Sequence, residues 1–210
     1  MRRKIYILVA LIAVFLSGCV VYSFYPLYTE KDLFANDILT GEWFENDDQE
    51  VKFNDGEDVW NFVHPYLDEK TKTERDSCMY ILTLHSSEDG KEYTSTFEVH
   101  IIKLAGQYFL DFYLKDYPDD GEIRLSTFHV IPVHTIAKLT VEKDVLKISW
   151  FNPDWLAKLI RENKIRIHHE ANDDLILLTA KPQELQKFVT KYVNSEEAFK
   201  DGLEVVLFRK

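Results

Sequence analysis

The sequence predicts a mainly β domain: an antiparallel barrel or sandwich of roughly 8 to 10 strands, with two or three short helices packed on it. Three observations indicate this class. Short segments of alternating apolar and polar residues follow one another through most of the chain from residue 37 onward. Turn sequences rich in Asp, Gly, Ser and Asn separate many of these segments. Only 7 glycines and 6 prolines occur among 210 residues, which argues against flexible linkers.

The predicted strands have the period of two that is typical of half-buried strands. Residues 92–104 and 107–114 form a predicted hairpin, because Ala105 and Gly106 supply a two-residue turn between them. Pro132 lies inside the longest segment and predicts an edge, a bulge or a bend there. The segments are 38–45, 58–66, 77–85, 92–104, 107–114, 126–142, 145–151, 165–170, 174–180 and 203–209.

Two helices are predicted to interrupt the strands. The first begins at Asn152, an N-cap residue that is followed by Pro153 and Asp154. The second begins near Pro182, and Ser195 caps one further turn. Each helix has one apolar face, formed by Trp155, Leu156, Leu159 and Ile160 in the first and by Leu185, Phe188, Val189 and Tyr192 in the second.

The N-terminus has the layout of a secretory signal. A basic stretch, residues 1–4, precedes about a dozen apolar residues, and then come Leu16, Ser17, Gly18 and Cys19. These four residues resemble the bacterial lipobox. The resemblance implies cleavage before Cys19, a thioether-linked diacylglycerol on its sulfur and acylation of the new amino terminus. We therefore expect a lipoprotein signal peptide over 1–18, a lipidated tether with a docking segment over 19–36 and the barrel domain over 37–210.

An uncleaved membrane anchor is the competing interpretation of the same segment. No charged residue occurs from Ile5 to Tyr28, and a span needs about 20 apolar residues. Arg2, Arg3 and Lys4 would then hold the N-terminus in the cytoplasm. Both interpretations put the domain outside the cytoplasm, in the cell envelope.

Charge excludes nucleic acid as a partner, because the chain carries a formal net charge of −11. Loss of the three N-terminal cations leaves 22 cationic against 36 acidic side chains in the mature chain. Position 20 is Val and not Asp. By resemblance to lipoproteins of Gram-negative bacteria, this favours the outer membrane, and the absence of acids before Glu30 favours its periplasmic face. The expected membrane contact is the lipid on Cys19.

A second resemblance lies in the first predicted strand. Gly41 and Trp43, in the pattern Gly-x-Trp, are similar to the lipocalin signature. In lipocalins an arginine from the last strand packs on this tryptophan, and here the last strand ends in Arg209. The resemblance implies that Trp43 and Arg209 close one barrel end. The helix near 153–163 departs from the lipocalin pattern, and the second lipocalin motif is not evident.

A lipocalin-like barrel would hold a small apolar or amphipathic molecule. Along 107–114, Tyr108, Leu110, Phe112 and Leu114 alternate with Phe109, Asp111 and Tyr113. Asp111 is a carboxylate in an aromatic strand and must be paired if it is buried. It anchors the polar head of a ligand, forms a structural pair with Arg or Tyr, or lies on a solvent face that carries two aromatic side chains. The expected cavity residues are Trp43, Trp60, Phe62, Tyr80, Tyr108, Phe112 and Asp111.

No catalytic motif, metal site or cofactor site is predicted. The cluster His168, His169 and Glu170 lacks the spacing of zinc proteases, although His168 and Glu170 share a face of a strand. His100, His129 and His134 lie on predicted strands and could converge. Cys78 is expected to be a buried apolar residue.

Three functions follow, in order of preference. The first is a lipid-anchored, lipocalin-like binding module of the cell envelope. The second is a structural or assembly lipoprotein that acts through protein contacts. The third, and the least favoured, is a metal-dependent enzyme.

Overall fold

Eight antiparallel strands close into a barrel in the computed structural model of the protein, which describes residues 20–45, 59–65, 77–88, 91–116, 131–172 and 175–209. The strands in chain order are β1 (Tyr22–Ser23), β2 (Gly41–Glu45), β3 (Val59–Val63), β4 (Tyr80–Glu88), β5 (Lys91–Leu104), β6 (Gln107–Asp116), β7 (His134–Glu142), β8 (Val145–Trp150), β9 (His169–Ala171), β10 (Ile176–Leu178) and β11 (Glu204–Phe208). Strands β2 to β8 pair in sequence order, and β11 closes the ring by pairing with both β8 and β2. The predicted mainly β class is confirmed, as a barrel and not a sandwich.

The hairpin of β5 and β6 illustrates how the sequence sets the register. Ala105 and Gly106 join the two strands, and both have positive φ angles, of 50° and 79°. A two-residue turn of this hand matches the right-handed twist of the strands that it joins. The predicted segment 126–142 contains β7, which begins two residues after Pro132, and residues 126–130 lie outside the described part.

Alternation along each strand divides the buried residues into two cores. The inner core lies inside the barrel, and it includes Trp43 opposite Trp60 and Val205 opposite Ile148. The outer core lies on the outside of the barrel, where Ile102, Phe109 and Ile136 face outward. Sheets with one face inside a barrel and the other under helices bury side chains on both faces.

The two predicted helices cover the outer core. They are α1 (Pro153–Arg161) and α2 (Pro182–Tyr192). As predicted, Asn152 caps α1, and its side chain accepts hydrogen bonds from the backbone of Asp154 at 2.7 Å and of Trp155 at 3.1 Å. The predicted further turn is a 3-10 helix, Glu196–Ala198. The outer core contains Leu156 from α1 and Leu185, Phe188 and Val189 from α2.

The barrel has two different ends. At one end, which we call the closed end, the chain enters β2 and leaves β11, and the turns β5–β6 and β7–β8 lie there. At the other, the open end, β8 leaves the barrel and β11 returns to it. The connection that contains both helices therefore begins and ends at the open end.

The segment 20–36 is docked on the barrel and is not a free tether. Strand β1 pairs with β7 on one side and with β10 on the other. Leu27 is fully buried in the outer core, and the Gln186 side chain of α2 donates to the backbone oxygen of Leu27 at 2.9 Å. The docking segment that was predicted within the tether therefore extends over all of residues 20–36. Residues 1–19, which include Cys19, lie outside the described part of the chain. Among the helices that the structure describes, none is long and apolar enough to cross a membrane.

Candidate functional site

The closed end is sealed by the residues that carry the Gly-x-Trp pattern. Trp43 is 1% exposed, and its indole nitrogen donates to the backbone oxygen of Leu39 at 2.7 Å. The guanidinium carbon of Arg209 lies 4.5 Å from the centroid of the Trp43 ring. One guanidinium nitrogen donates to the backbone oxygen of Thr40 at 2.7 Å. The pair that the resemblance implied is present, and it joins the first and the last barrel strand.

Tyr80 completes the floor of the barrel beside this pair. Its side chain has no exposed surface, and its hydroxyl donates to the backbone oxygen of Asn36 at 2.6 Å. The ring of His64 stacks on it at 4.4 Å between centroids. Burial raises the pKa of Tyr80 to about 12, because the phenolate would lose its hydration inside the barrel. Tyr80 is therefore a neutral hydrogen-bond donor at physiological pH.

Aromatic rings from four strands meet in the inner core. The Trp60 ring lies 6.3 Å from Phe62 on its own strand and 6.4 Å from Phe112 on β6. Phe112 in turn stacks on Trp150 of β8 at 5.6 Å, and Phe62 packs edge-on against Tyr80 at 6.3 Å. Such offset and edge-to-face contacts are the favoured geometries for aromatic side chains. The rings form a continuous apolar wall from the floor toward the open end.

The aromatic side chains of this wall that keep some exposure to solvent lie toward the open end. Phe62 has no exposed surface, whereas Trp60 is 4% exposed and Phe112 and Trp150 are each 5% exposed. Polar atoms accompany the two indoles there: Trp60 donates to a Glu45 carboxylate oxygen at 2.9 Å, and Trp150 lies 3.4 Å from the Thr135 hydroxyl. A molecule that enters the barrel from this end would meet two indoles and one phenyl ring.

The expected cavity residues therefore divide into two groups and one exception. Trp60 and Phe112 face the upper interior, near the open end. Trp43, Phe62 and Tyr80 form the floor, and Tyr108 packs at its edge against Phe34, with 6.3 Å between the ring centroids.

Trp150 also faces the upper interior, with Trp60 and Phe112, and it was missed in the sequence analysis. The apolar alternation of Leu146, Ile148 and Trp150 along β8 was the signal that could have found it.

Asp111 is the exception, because it does not face the interior. It lies on the outer side of β6, 1% exposed, beneath the docked segment. One carboxylate oxygen accepts a hydrogen bond from the backbone of Leu27 at 2.7 Å, and the other lies 2.6 Å from Nδ1 of His134. Burial raises the pKa of this carboxyl, and its bonds to His134 and Leu27 oppose that effect. Asp111 therefore lies outside the expected cavity, and its contacts fit the structural pair that the sequence left open: the carboxylate joins the N-terminal segment to the barrel through Leu27 and His134.

A groove on the outer face begins beside this pair. It has a volume of about 460 Å³ and lies between the docked segment and the residues that lead into β7. Its lining is mostly apolar and aromatic, with one acid and one histidine. The lining residues are Phe24, Pro26, Tyr28, Glu98, Tyr113, Ile131, Pro132 and His134.

The histidine clusters take other roles in the described part of the chain. His168 precedes β9, and its Nδ1 lies 2.7 Å from a carboxylate oxygen of Glu184 on α2. His100 is opposite Asp111 in the β5–β6 register, and the Tyr28 ring lies 4.2 Å from it. His129 lies outside the described residues. Within the described ranges, no group of three or more His, Cys, Asp or Glu side chains is arranged to hold a metal ion. Cys78 is buried, as expected.

Comparison with known proteins finds no family model, no curated protein and no solved structure that matches this chain. A functional assignment therefore depends on the chain's own residues.

Proposed function

We propose that the protein is a lipid-anchored lipoprotein of the cell envelope whose barrel binds a small apolar or amphipathic molecule through its open end. The observation that carries the proposal is the asymmetry of the barrel. One end is sealed by Trp43, Arg209 and Tyr80, while the aromatic wall extends to Trp60, Phe112 and Trp150 near the other. Apolar walls with a few polar groups are typical of small-molecule sites.

The lipid anchor is supported by the point at which the folded domain begins. Val21 is 7% exposed, and Tyr22–Ser23 are paired in the sheet, so residues from Val20 onward belong to the domain. The uncharged run that remains is 5–19, about 15 residues, or about 22 Å of helix. This is shorter than the hydrocarbon core of a bilayer, about 30 Å. A plain membrane anchor therefore fits less well than cleavage and lipidation at Cys19.

Labelling with radioactive palmitate in a Gram-negative host tests the anchor. The wild-type chain should incorporate the label and migrate at the size of the cleaved form. Cys19→Ala should abolish the label and leave the larger precursor. A Cys78→Ala variant is the matched control, because Cys78 is the other cysteine of the chain and should not affect labelling. Labelling of Cys19→Ala would contradict the anchor.

The absence of Asp at position 20 supports the outer membrane, and we propose that the domain faces the periplasm. Density-gradient separation of the two membranes tests the first statement. Protease added to intact cells tests the second, since a periplasmic domain should be degraded only after the outer membrane has been permeabilised.

Ligand binding is tested in two ways on the full lipidated protein extracted from its host. Native mass spectrometry should detect a retained small molecule. An anilinonaphthalene sulfonate dye should bind the emptied barrel, and Trp60→Ala or Phe112→Ala should weaken that binding. Val141→Ala, at an exposed position near the closed end, is the control. Absence of both a retained molecule and dye binding would overturn the binding function.

A further inference from the structure

The attachment point of the proposed lipid is close to one side of the open end. Val20, the residue after Cys19, packs against the inner core, and β1 begins two residues later, at Tyr22. Consecutive Cα atoms are about 3.8 Å apart, so a lipid on Cys19 leaves the protein beside β1. In the described part of the chain, only Val20 and Val21 lie between Cys19 and β1, so the domain would be held close to the bilayer.

Large apolar side chains are exposed around this strand. Phe24 is 49% exposed, Tyr25 36%, Ile131 67% and Leu175 39%. We call these four residues the rim patch. Two further large hydrophobic residues of the described chain are exposed, Tyr93 on β5 and Val141 on β7. A concentration of exposed apolar side chains marks an interaction surface more often than scattered ones do.

The four residues lie along one side of the barrel mouth. Phe24 and Ile131 line the same outer groove, and the Phe24 and Tyr25 rings are in contact at 5.1 Å between centroids. Leu175 comes two residues before Leu177, which is paired in parallel with Tyr22. Leu175 directly precedes β10, the strand that pairs with β1. The rim patch therefore lies around β1, the strand that begins three residues after Cys19.

We propose that the rim patch rests in the interfacial layer of the bilayer that holds the Cys19 lipid, so that the β1 side of the open end faces the membrane. This inference rests on the proposed lipidation. Phe and Tyr side chains suit the interface, because their rings are apolar and the tyrosine hydroxyl stays hydrated. Together with the acyl chains they give the domain a fixed side toward the membrane.

Depth-dependent fluorescence quenching tests the orientation on the full lipidated chain. Cysteine is introduced singly as Ile131→Cys, Leu175→Cys or Val141→Cys in a Cys78→Ala background and labelled with bimane. Each protein is reconstituted in vesicles of phosphatidylethanolamine and phosphatidylglycerol, with or without brominated acyl chains. Labels at 131 and 175 should lose most of their fluorescence to the brominated lipid. The label at 141, near the closed end, should lose little.

The outcomes separate this inference from the proposed function. Equal quenching at all three positions, or none at 131 and 175 in a protein that carries palmitate, overturns the orientation and leaves the lipid anchor intact. A water-soluble quencher is also added to the labelled proteins in the native membranes. Labels at 131 and 175 that neither this quencher nor the brominated lipid of the vesicles quenches also overturn the orientation, because a protein then covers the rim patch. Absence of palmitate overturns the proposed function itself.

Discussion

Arg209, after the last barrel strand, lies over the ring of Trp43 in the first, with its guanidinium carbon 4.5 Å from the ring centroid. The contact links the two strands whose pairing closes the barrel, β2 and β11. Within the described ranges, these strands share two residue pairs, Leu207 with Glu45 and Phe208 with Phe44. The side-chain contact therefore extends a short strand pairing at the closed end.

Arg209→Ala should lower the free energy of unfolding by about 1 kcal/mol, because it removes an exposed cation–π contact of about 0.5–1 kcal/mol and a hydrogen bond to Thr40. In a chain of this size the midpoint of thermal unfolding should fall by about 2–4 °C. Urea unfolding measures the change.

A double-mutant cycle of Arg209→Ala with Trp43→Leu isolates the pair from other effects of each substitution, because leucine has no ring for the guanidinium to contact. Lys147→Ala is the matched control. Lys147 forms a 2.8 Å ion pair with Glu204, but the two side chains are 50% and 41% exposed, so its loss should change stability by less than about 1 kcal/mol. An effect of Arg209→Ala no larger than that of Lys147→Ala would contradict the proposed stabilisation.

Asp111→Ala should loosen the docked N-terminal segment. The substitution leaves the buried backbone N–H of Leu27 without its acceptor, a loss of about 1–3 kcal/mol. Hydrogen exchange followed by mass spectrometry should show faster exchange in peptides that contain Leu27. Ser149→Ala is the control, since Ser149 is also buried and bonds to Glu204 on another wall. Unchanged exchange at Leu27 in Asp111→Ala would show that the carboxylate does not hold the segment.

The contribution of Tyr80 to stability should depend on pH. The folded protein raises the pKa of Tyr80 to about 12, above its ordinary value of 10.0, so the neutral phenol is favoured in the fold. The stability that this residue contributes is fully present below pH 10 and is lost as the pH rises toward 12.

Comparison of wild type with Tyr80→Phe by urea unfolding at several pH values measures this effect. The difference in stability should be constant up to about pH 10 and should shrink above it. Tyr93→Phe removes an exposed hydroxyl and serves as the control for hydroxyl loss. A difference that stays constant up to pH 12 would contradict a buried, neutral Tyr80.

Gly202→Ala should destabilise the return of the chain from the helices to the barrel. A Cβ atom at this position would lie 2.8 Å from the backbone oxygen of Trp150 and 3.1 Å from that of Phe199. Because these backbone atoms cannot move aside, the substitution should lower the free energy of unfolding by about 1–3 kcal/mol. Thermal unfolding measures the change. Asp201→Gly is the control, because Asp201 has a φ of 57° that glycine adopts freely. A Gly202→Ala variant as stable as Asp201→Gly would contradict the close approach.

Much of the fold could be predicted from local signals. Period-two alternation located the barrel strands, and the cap at Asn152 and the apolar face beginning at Leu185 located the two helices. The predicted bounds of strand β9 were wrong at its start. The alternating segment begins at Ile165, whereas the strand begins at His169. A short strand outside the barrel has few neighbours, so its pattern is weakly constrained.

The site was harder to predict, because alternation separates two faces of a strand without saying which one is inside. In a barrel whose outer wall is also covered, both faces of β6 are apolar: Phe112 faces the inner core and Phe109 the outer core. Asp111 was therefore assigned to the interior on its aromatic surroundings alone.

The sequence by itself determined the local elements and the Trp43–Arg209 pair, because each depends on neighbouring residues or on a known pattern. The lipobox that ends at Cys19 stays a prediction. Only the tertiary structure decided that residues 20–36 dock on the barrel and that Asp111 holds them there. Such a contact joins residues that are distant in the chain, and no local periodicity records it. The burial of a carboxylate depends on which segment of the folded chain covers it.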